Sequence, residues 1–209
     1  GYASVGAWRT ISKSLYNSIP ATDVRKGWWL DENGLSANLN AEQQKYISGA
    51  ALDDNKNPLP YVQVKYGTYN DVIYQSVNAN DIPLMRVEEM YLILAEAQAM
   101  SGNASAGAAT LQNFVATYRD PAYTCQAGDL NAFIDEIWFQ RRVELWGEGF
   151  QWSDFKRWKR PSVRTIISKG GSAHSAIALT INPEDALEWT WQIPLNESDY
   201  NKGLSYGSE

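Results

Sequence analysis

Apolar positions recur with a helical period over one central stretch of this 209-residue chain and lose that period on either side. From Ile82 to Asn103 the run IPLMRVEEMYLILAEAQAMSGN sets Leu84, Val87, Tyr91, Leu94 and Gln98 along one helical face. Met90, Ile93 and Ala97 form a second apolar face, so this helix is expected to be buried on two sides. Pro83 suits its first turn and Gly102-Asn103 its end. After a short loop, Leu111, Phe114, Val115 and Tyr118 recur at helical spacing. The two segments predict an antiparallel hairpin of about 34 residues, the size of a tetratricopeptide-type unit. A third helix from near Asp129 is expected to bury Leu130, Phe133, Ile134, Ile137 and Trp138. A turn at Gly147 and Gly149 then leads to a shorter helix holding Phe155 and Trp158, which makes two helical hairpins in tandem.

The flanks read differently. YVQVKYGTYNDVIYQ (61–75) alternates Tyr61, Gln63 and Lys65 against Val62, Val64 and Tyr66, then turns at GTYND, which predicts a β hairpin. KNPLP (56–60) ends whatever precedes it. AIALTI (176–181) and WTWQI (189–193) predict short strands. The chain therefore divides into an irregular, aromatic-rich region with a β hairpin at 1–80, tandem helical hairpins at 81–160, and loops with short strands at 161–209 that pack on the helices. The predicted fold class is mostly α: tetratricopeptide-like hairpins, a small β hairpin and extensive irregular loops.

Composition narrows the chemistry. A chain that is 44% hydrophobic and 20% charged can bury a sizeable core. Its 9 Trp and 12 Tyr exceed what a core readily absorbs, so some rings are expected to face a ligand. The net charge of −6 opposes binding to nucleic-acid phosphates. One Cys (Cys125) and one His (His174, in a small-residue loop) leave no intrachain disulfide and argue against thiol–imidazole catalysis or a Cys/His zinc site. No metal and no cofactor is expected. No apolar run is long enough to span a bilayer. The abrupt start at GYASVGAWR reads as a fragment.

The densest chemistry lies at 141–160, RRVELWGEGFQWSDFKRWKR, with six Lys/Arg, three Asp/Glu and three Trp. As an enzyme site, Glu144 and Glu148 would be a carboxylate pair for glycosidic acid–base work. They lie four apart on one turn rather than across a cleft. As a nucleic-acid patch, Lys156, Arg157, Lys159 and Arg160 would act with Trp152 and Trp158, within a chain that otherwise repels phosphate. The third reading follows the apolar stripe of the preceding helix onto Arg141 and Leu145. An Arg carried onto that face needs a carboxylate, because an unpaired buried charge is costly. Glu144, Glu148 and Asp154 are at hand, and the glycine turn returns Asp154 and Arg157 to the helix. A structural salt-bridge knot of Arg141, Glu144, Glu148, Asp154 and Arg157 is the reading taken.

Arg141-Arg142-Val143-Glu144-Leu145, Glu148-Gly149 and Asp154-Phe155-Lys156-Arg157-Trp158 resemble the signature of the SusD/RagB family, outer-membrane glycan-binding lipoproteins of Bacteroidetes. Ile82 through Leu92 with Ala95-Glu96-Ala97 resembles the family's proline-led helix, Pro20-Ala21-Thr22-Asp23-Val24-Arg25 its D-x-R turn, and Ile193-Pro194 with Glu197 and Asn201 its terminal motif. Gln140 and Gln151 depart from the signature, which has Glu and Arg there; if those positions pair, both charges are lost together. The resemblance implies the C-terminal portion of a non-enzymatic protein on the extracellular face of the outer membrane, held by an N-terminal lipid anchor absent from this chain. It implies that the protein binds oligosaccharide or polysaccharide and delivers oligosaccharides to a SusC-like TonB-dependent transporter, and that the 141–160 signature is structural. The alternatives are a helical-repeat scaffold that binds only protein, and the carboxylate-pair glycoside hydrolase.

Sugar recognition needs flat aromatic faces for the ring and planar polar groups for the hydroxyls. Trp28, Trp29, Tyr66 and Tyr69 are the glycan-stacking candidates, since they lie in loops of the first region. Neighbouring side chains on an extended chain point opposite ways, so at most one of Trp28 and Trp29 is expected to face solvent. Trp8, Trp138, Trp146, Trp152, Trp158, Trp189 and Trp191 are expected in the core.

Overall fold

The computed structural model describes residues 9–48, 60–66, 83–125, 129–171, 173–184 and 200. Six α-helices are present among them: α1 (Lys13–Ser18), α2 (Ala41–Ser48), α3 (Val87–Met100), α4 (Ala104–Tyr118), α5 (Leu130–Glu144) and α6 (Phe150–Arg157). A two-residue antiparallel pair, β1 (Ser162–Val163) with β2 (Thr180–Ile181), has Ser162 opposite Ile181. The fold is mostly α, as the periodicity predicts.

Each helix starts where a side chain satisfies an orphan backbone donor. Ser12 accepts the Leu15 N–H, Asn103 the Ala106 N–H and Asp129 the Ala132 N–H. At α2, Asn40 and Gln43 bond each other's backbone N–H reciprocally, at 2.9 and 3.0 Å. The exceptions are α6, whose N-cap Gly149 has no side chain to offer, and α3. Its first residue is Val87 rather than one near Pro83, and its N-cap Arg86 makes no side-chain cap bond. The Arg86 guanidinium goes to Glu144 and Glu148 instead. Glu88 and Glu89 set negative charge in the first turn, where the helix dipole favours it.

The burial of α3 also departs from the pattern. Leu84 and Val87 are exposed, and Met90, Ile93, Leu94 and Met100 are substantially so, while Leu92, Ala95 and Ala99 are the buried residues. The helix is apolar almost all round, so periodicity cannot single out the packed face; small residues do. A Cβ on Gly107 of α4 would lie 2.5 Å from the Ala95 carbonyl oxygen and 3.0 Å from the Ala99 Cβ. Only a Gly/Ala seam permits that approach, and the seam turns Ala95 and Ala99 towards α4.

The helix buried on two sides is α5. One side, with Phe133 and Ile137, joins Leu92, Ala95 and Ala99 of α3, Leu111, Phe114 and Val115 of α4, and Leu145 in one core. Towards its C-terminus Val143, with half-buried Phe139, joins a second core of Ile11, Leu15, Tyr16, Ile19, Trp29 and Tyr61. Each fully buried aliphatic or aromatic side chain contributes roughly 1.5–3 kcal/mol, so α5 binds the first region to the helical hairpins. Leu130 is exposed and Trp138 half-buried, outside the core expected for them, while half-buried Ile134 packs against it. Trp146 and Trp158 pack at the cores' edges, Trp152 is exposed on α6, and Trp8, Trp189 and Trp191 lie outside the described residues.

In the predicted hairpin, only 60–66 is described, and those residues pair with other segments. Ile11 N–H donates to the Tyr61 carbonyl and Gln63 N–H to that of Arg9, on one side. On the other side Leu30 N–H donates to Val62 and Val64 N–H to Trp28. The turn GTYND and the second arm lie outside the described residues, as does WTWQI. Of AIALTI only Thr180–Ile181 is strand; Ser175–Ile177 is a 3₁₀ turn capped by His174, whose Nδ1 accepts the Ala176 N–H.

Candidate functional site

The last turn of α5 carries Glu144 into the centre of a buried charge network. Its carboxylate accepts from Arg119 Nε at 2.8 Å and Nη2 at 3.0 Å, from Arg86 Nη1 at 2.9 Å and from Arg25 Nη1 at 3.3 Å. Arg25 is fully buried and is held by Asp23 (Nη2 to Oδ2, 2.6 Å) and by Gln140 Oε1 at 2.6 Å. Asp23 also caps the 3₁₀ turn Val24–Trp28, so the D-x-R turn fixes its own arginine. Glu148 accepts from Arg86 Nη2 at 2.8 Å and Lys65 Nζ at 2.5 Å, and Lys65 reaches the Glu144 carbonyl at 2.7 Å. Arg119 closes the network on Glu88 at 3.0 Å.

Burial alone would push the Glu144 carboxyl up, but the guanidiniums of Arg119, Arg25 and Arg86 outweigh it and hold the group below its usual range. Burial likewise pushes the Lys65 ammonium down, opposed by the bond to Glu148. A carboxylate with no exposure and three cationic partners has no proton to give and no path to a substrate. Glu144 is thus a paired, buried anion, and Glu148 is bonded to Arg86 and Lys65 beside it.

A second network lies at the α5–α6 turn. Gly147 (φ +79) and Gly149 (φ +90) take the left-handed backbone that this turn requires. Beyond it, Asp154 receives Arg141 Nε at 2.8 Å and Arg157 Nε at 2.7 Å, and Arg157 continues to Glu96 of α3. The five charges grouped by sequence thus fall into two clusters, Glu144 and Glu148 in one, Arg141, Asp154 and Arg157 in the other. The cations that serve Glu144 are Arg25, Arg86 and Arg119, which sequence reasoning did not assign. Gln140 bonds Arg25 and, through Nε2, Glu136 at 2.9 Å, whereas Gln151 is exposed on α6, so the two departures from the signature do not pair.

The aromatic candidates separate sharply. Trp29 is 0% exposed and packs edge-on against Trp146 with centroids 5.6 Å apart, so no sugar reaches it. Trp28 is half-buried against Trp29, centroids 6.1 Å apart, so the two rings touch rather than diverge; Trp28 closes the 3₁₀ turn and only Trp29 is extended. Lys65 Nζ lies 4.9 Å and the Arg119 guanidinium 5.7 Å from the Trp28 ring centre. Tyr66 is 43% exposed, and its hydroxyl donates to the Trp146 carbonyl at 3.3 Å, which fixes the ring at the surface. Tyr69 lies outside the described residues. Among the described residues no group of His, Cys, Asp and Glu is arranged to hold a metal ion, and no helix is long and apolar enough to cross a membrane.

The SusD family model matches residues 13–206. The chain belongs to the SusD family. Two crystal structures share its fold. A SusD-like carbohydrate binding protein from Bacteroides vulgatus ATCC 8482 is 24% identical with a TM-score of 0.59, over 93% of this chain and 41% of that one. A SusD superfamily protein from Bacteroides thetaiotaomicron VPI-5482 is 24% identical with a TM-score of 0.61, over 94% of this chain and 39% of that one. The chain therefore spans about two fifths of the length of these SusD-like structures. No curated protein matches it. Within this SusD-family chain, the stretch 141–160 ties helices together.

Proposed function

We propose that this chain is the portion of a cell-surface protein that binds oligosaccharides without transforming them and passes them to a SusC-like TonB-dependent transporter of the outer membrane. The observation that carries the reading is the family match over residues 13–206, joined by the carbohydrate binding ascribed to the Bacteroides vulgatus neighbour. The site geometry supports it. The dense carboxylates are locked by guanidiniums, while an exposed tyrosine sits at a rigid rim. Lys65 lies 5.3 Å from the Tyr66 ring centre and 4.9 Å from that of Trp28, bonded beneath to Glu148. Tyr66, with Trp28, is the proposed platform for a pyranose face. Trp29 supports it from below.

The test is isothermal titration of the chain against a panel of plant and host oligosaccharides, beside Tyr66→Ala. A saturable response to at least one glycan, weakened tenfold or more by Tyr66→Ala with an unchanged melting temperature, is expected. A scaffold that binds only protein would give no heat with any glycan, and that result overturns the reading.

A further inference from the structure

Away from Tyr66, a cavity of about 310 Å³ opens between the D-x-R turn, the link after α4, and the face of α5. That volume is at the lower end of the roughly 300–1,000 Å³ typical of small-molecule sites. Its walls include Asp23, Asp120, Tyr123, Glu136, Phe139 and Gln140. Two rings supply apolar surface, and the carboxylates of Asp23, Asp120 and Glu136 supply acceptors.

Asp120 is the informative residue. It is only 3% exposed, yet among the described residues no cation pairs with it. Its Oδ1 accepts the Ala122 N–H at 3.0 Å, and Oδ2 has no partner among the described residues. A carboxylate oxygen on the cavity wall is an acceptor that a donor in the cavity can reach. Glu136 shows the same one-sidedness. Its Oε1 takes both the Tyr123 hydroxyl at 2.7 Å and Gln140 Nε2 at 2.9 Å, which leaves Oε2 for a further donor. Those two bonds also hold the Tyr123 ring and the carboxylate in place before any ligand arrives.

The sign of the site then selects its ligand. Arg25 bonds Asp23 and Gln140 of this wall, and its Nη1 donates to Glu144. Asp120 and Glu136 remain as uncompensated negative charge. An anion is repelled, and a donor-rich neutral or cationic group is drawn in.

We infer that this cavity is a second glycan subsite, sized for one hexopyranose ring, whose hydroxyl or ammonium donors bind Asp120 and Glu136 while Phe139 and Tyr123 cover its apolar patch. It takes neutral and amino sugars and rejects uronic acids. This inference rests on the glycan-binding reading above, and it adds a site and a charge preference to it.

The experiment is saturation-transfer NMR on the chain with glucose, galactose, mannose, glucosamine and glucuronate as probes, followed by titration of those that bind. At least one of the four non-acidic sugars is expected to bind, with glucuronate at least tenfold weaker. Asp120→Asn keeps an oxygen for the Ala122 N–H and turns the free acceptor into a donor. It is expected to weaken the bound sugar tenfold or more. Glu136→Gln keeps an oxygen for Tyr123 and Gln140 and serves as the second variant should Asp120→Asn fold poorly; it is expected to cost a similar factor and to abolish any preference for glucosamine. Unchanged affinity in both variants overturns the inference, as does glucuronate binding as tightly as glucose. If oligosaccharides bind the chain but none of the monosaccharide probes does, the subsite falls and the glycan-binding reading survives. If neither binds, both fall.

Discussion

Replacing Glu144 by Gln is the sharpest probe of what the charged stretch is for. The side chain is fully buried, and four guanidinium N–H groups from Arg25, Arg86 and Arg119 converge on its two oxygens. Gln keeps the shape and one acceptor, but its amide nitrogen presents hydrogens to donors that previously met an oxygen. The variant also removes the charge opposing three cations, one of which, Arg25, is itself fully buried. Breaking a buried pair by removing one partner typically costs about 3–5 kcal/mol. The retained oxygen and the remaining anions Asp23, Glu88 and Glu148 place this case near the lower figure. At about 2–4 °C per kcal/mol for a domain of this size, the melting temperature should fall by roughly 6–12 °C. The assay is thermal unfolding at neutral pH by circular dichroism, paired with oligosaccharide titration well below the midpoint. A fall of less than about 2 °C would refute the network's structural role. So would loss of ligand binding in a variant with unchanged melting, because that pattern belongs to a residue facing a ligand.

The same carboxylate gives a pH signature. Its folded value lies below the unfolded 4.5, so its stabilisation is fully present above 4.5 and lost as pH falls through the lower folded value. The midpoint of unfolding should drop as pH falls below 4.5, and much less steeply in Glu144→Gln; parallel curves for the two proteins would contradict this. At the α3–α4 seam, Gly107→Ala forces a methyl to within 2.5 Å of the Ala95 carbonyl, and overpacking of this kind costs about 1–3 kcal/mol. Urea unfolding should show the lower midpoint, and a neutral result would mean the helices are free to separate.

How much of this could be read from the sequence depended on the range of each interaction. The bodies of α4 and α5, and the return of Asp154 to Arg141, follow from periodicity and a turn thirteen residues across. The network on Glu144 draws on Arg25, Arg86 and Arg119, which lie 119, 58 and 25 residues away. No spacing rule reaches that far. A signal was nevertheless present: Arg25 and Arg86 each sit in a stretch that resembles a separate family motif, and the fold brings those motifs to one carboxylate. The packed face of α3 was not legible, since a helix apolar on every side carries no phase, and the seam is chosen by Gly107, a residue on another helix. Trp28 and Trp29 misled for a related reason. Adjacent rings diverge only on an extended chain, and here Trp28 closes a 3₁₀ turn.

The two proposed binding surfaces share residues and hydrogen bonds with the charge network, and that connection gives a reason for burying so much charge. Lys65 stands beside Tyr66 and is fixed from below by Glu148, so the rim tyrosine inherits the rigidity of the network. On the other side, Asp23 both holds Arg25 and lines the cavity, and Gln140 links Arg25 to Glu136. A well-packed apolar cluster in place of the ions could match their stability. It could not orient donors and acceptors towards two surfaces at once, because dispersion contacts have no preferred direction while a guanidinium fork does. Gln140 in place of the signature's Glu fits the same logic. With Glu136, Asp120 and Asp23 already on that wall, a further carboxylate would add repulsion, whereas the amide accepts from Arg25 with one end and donates to Glu136 with the other.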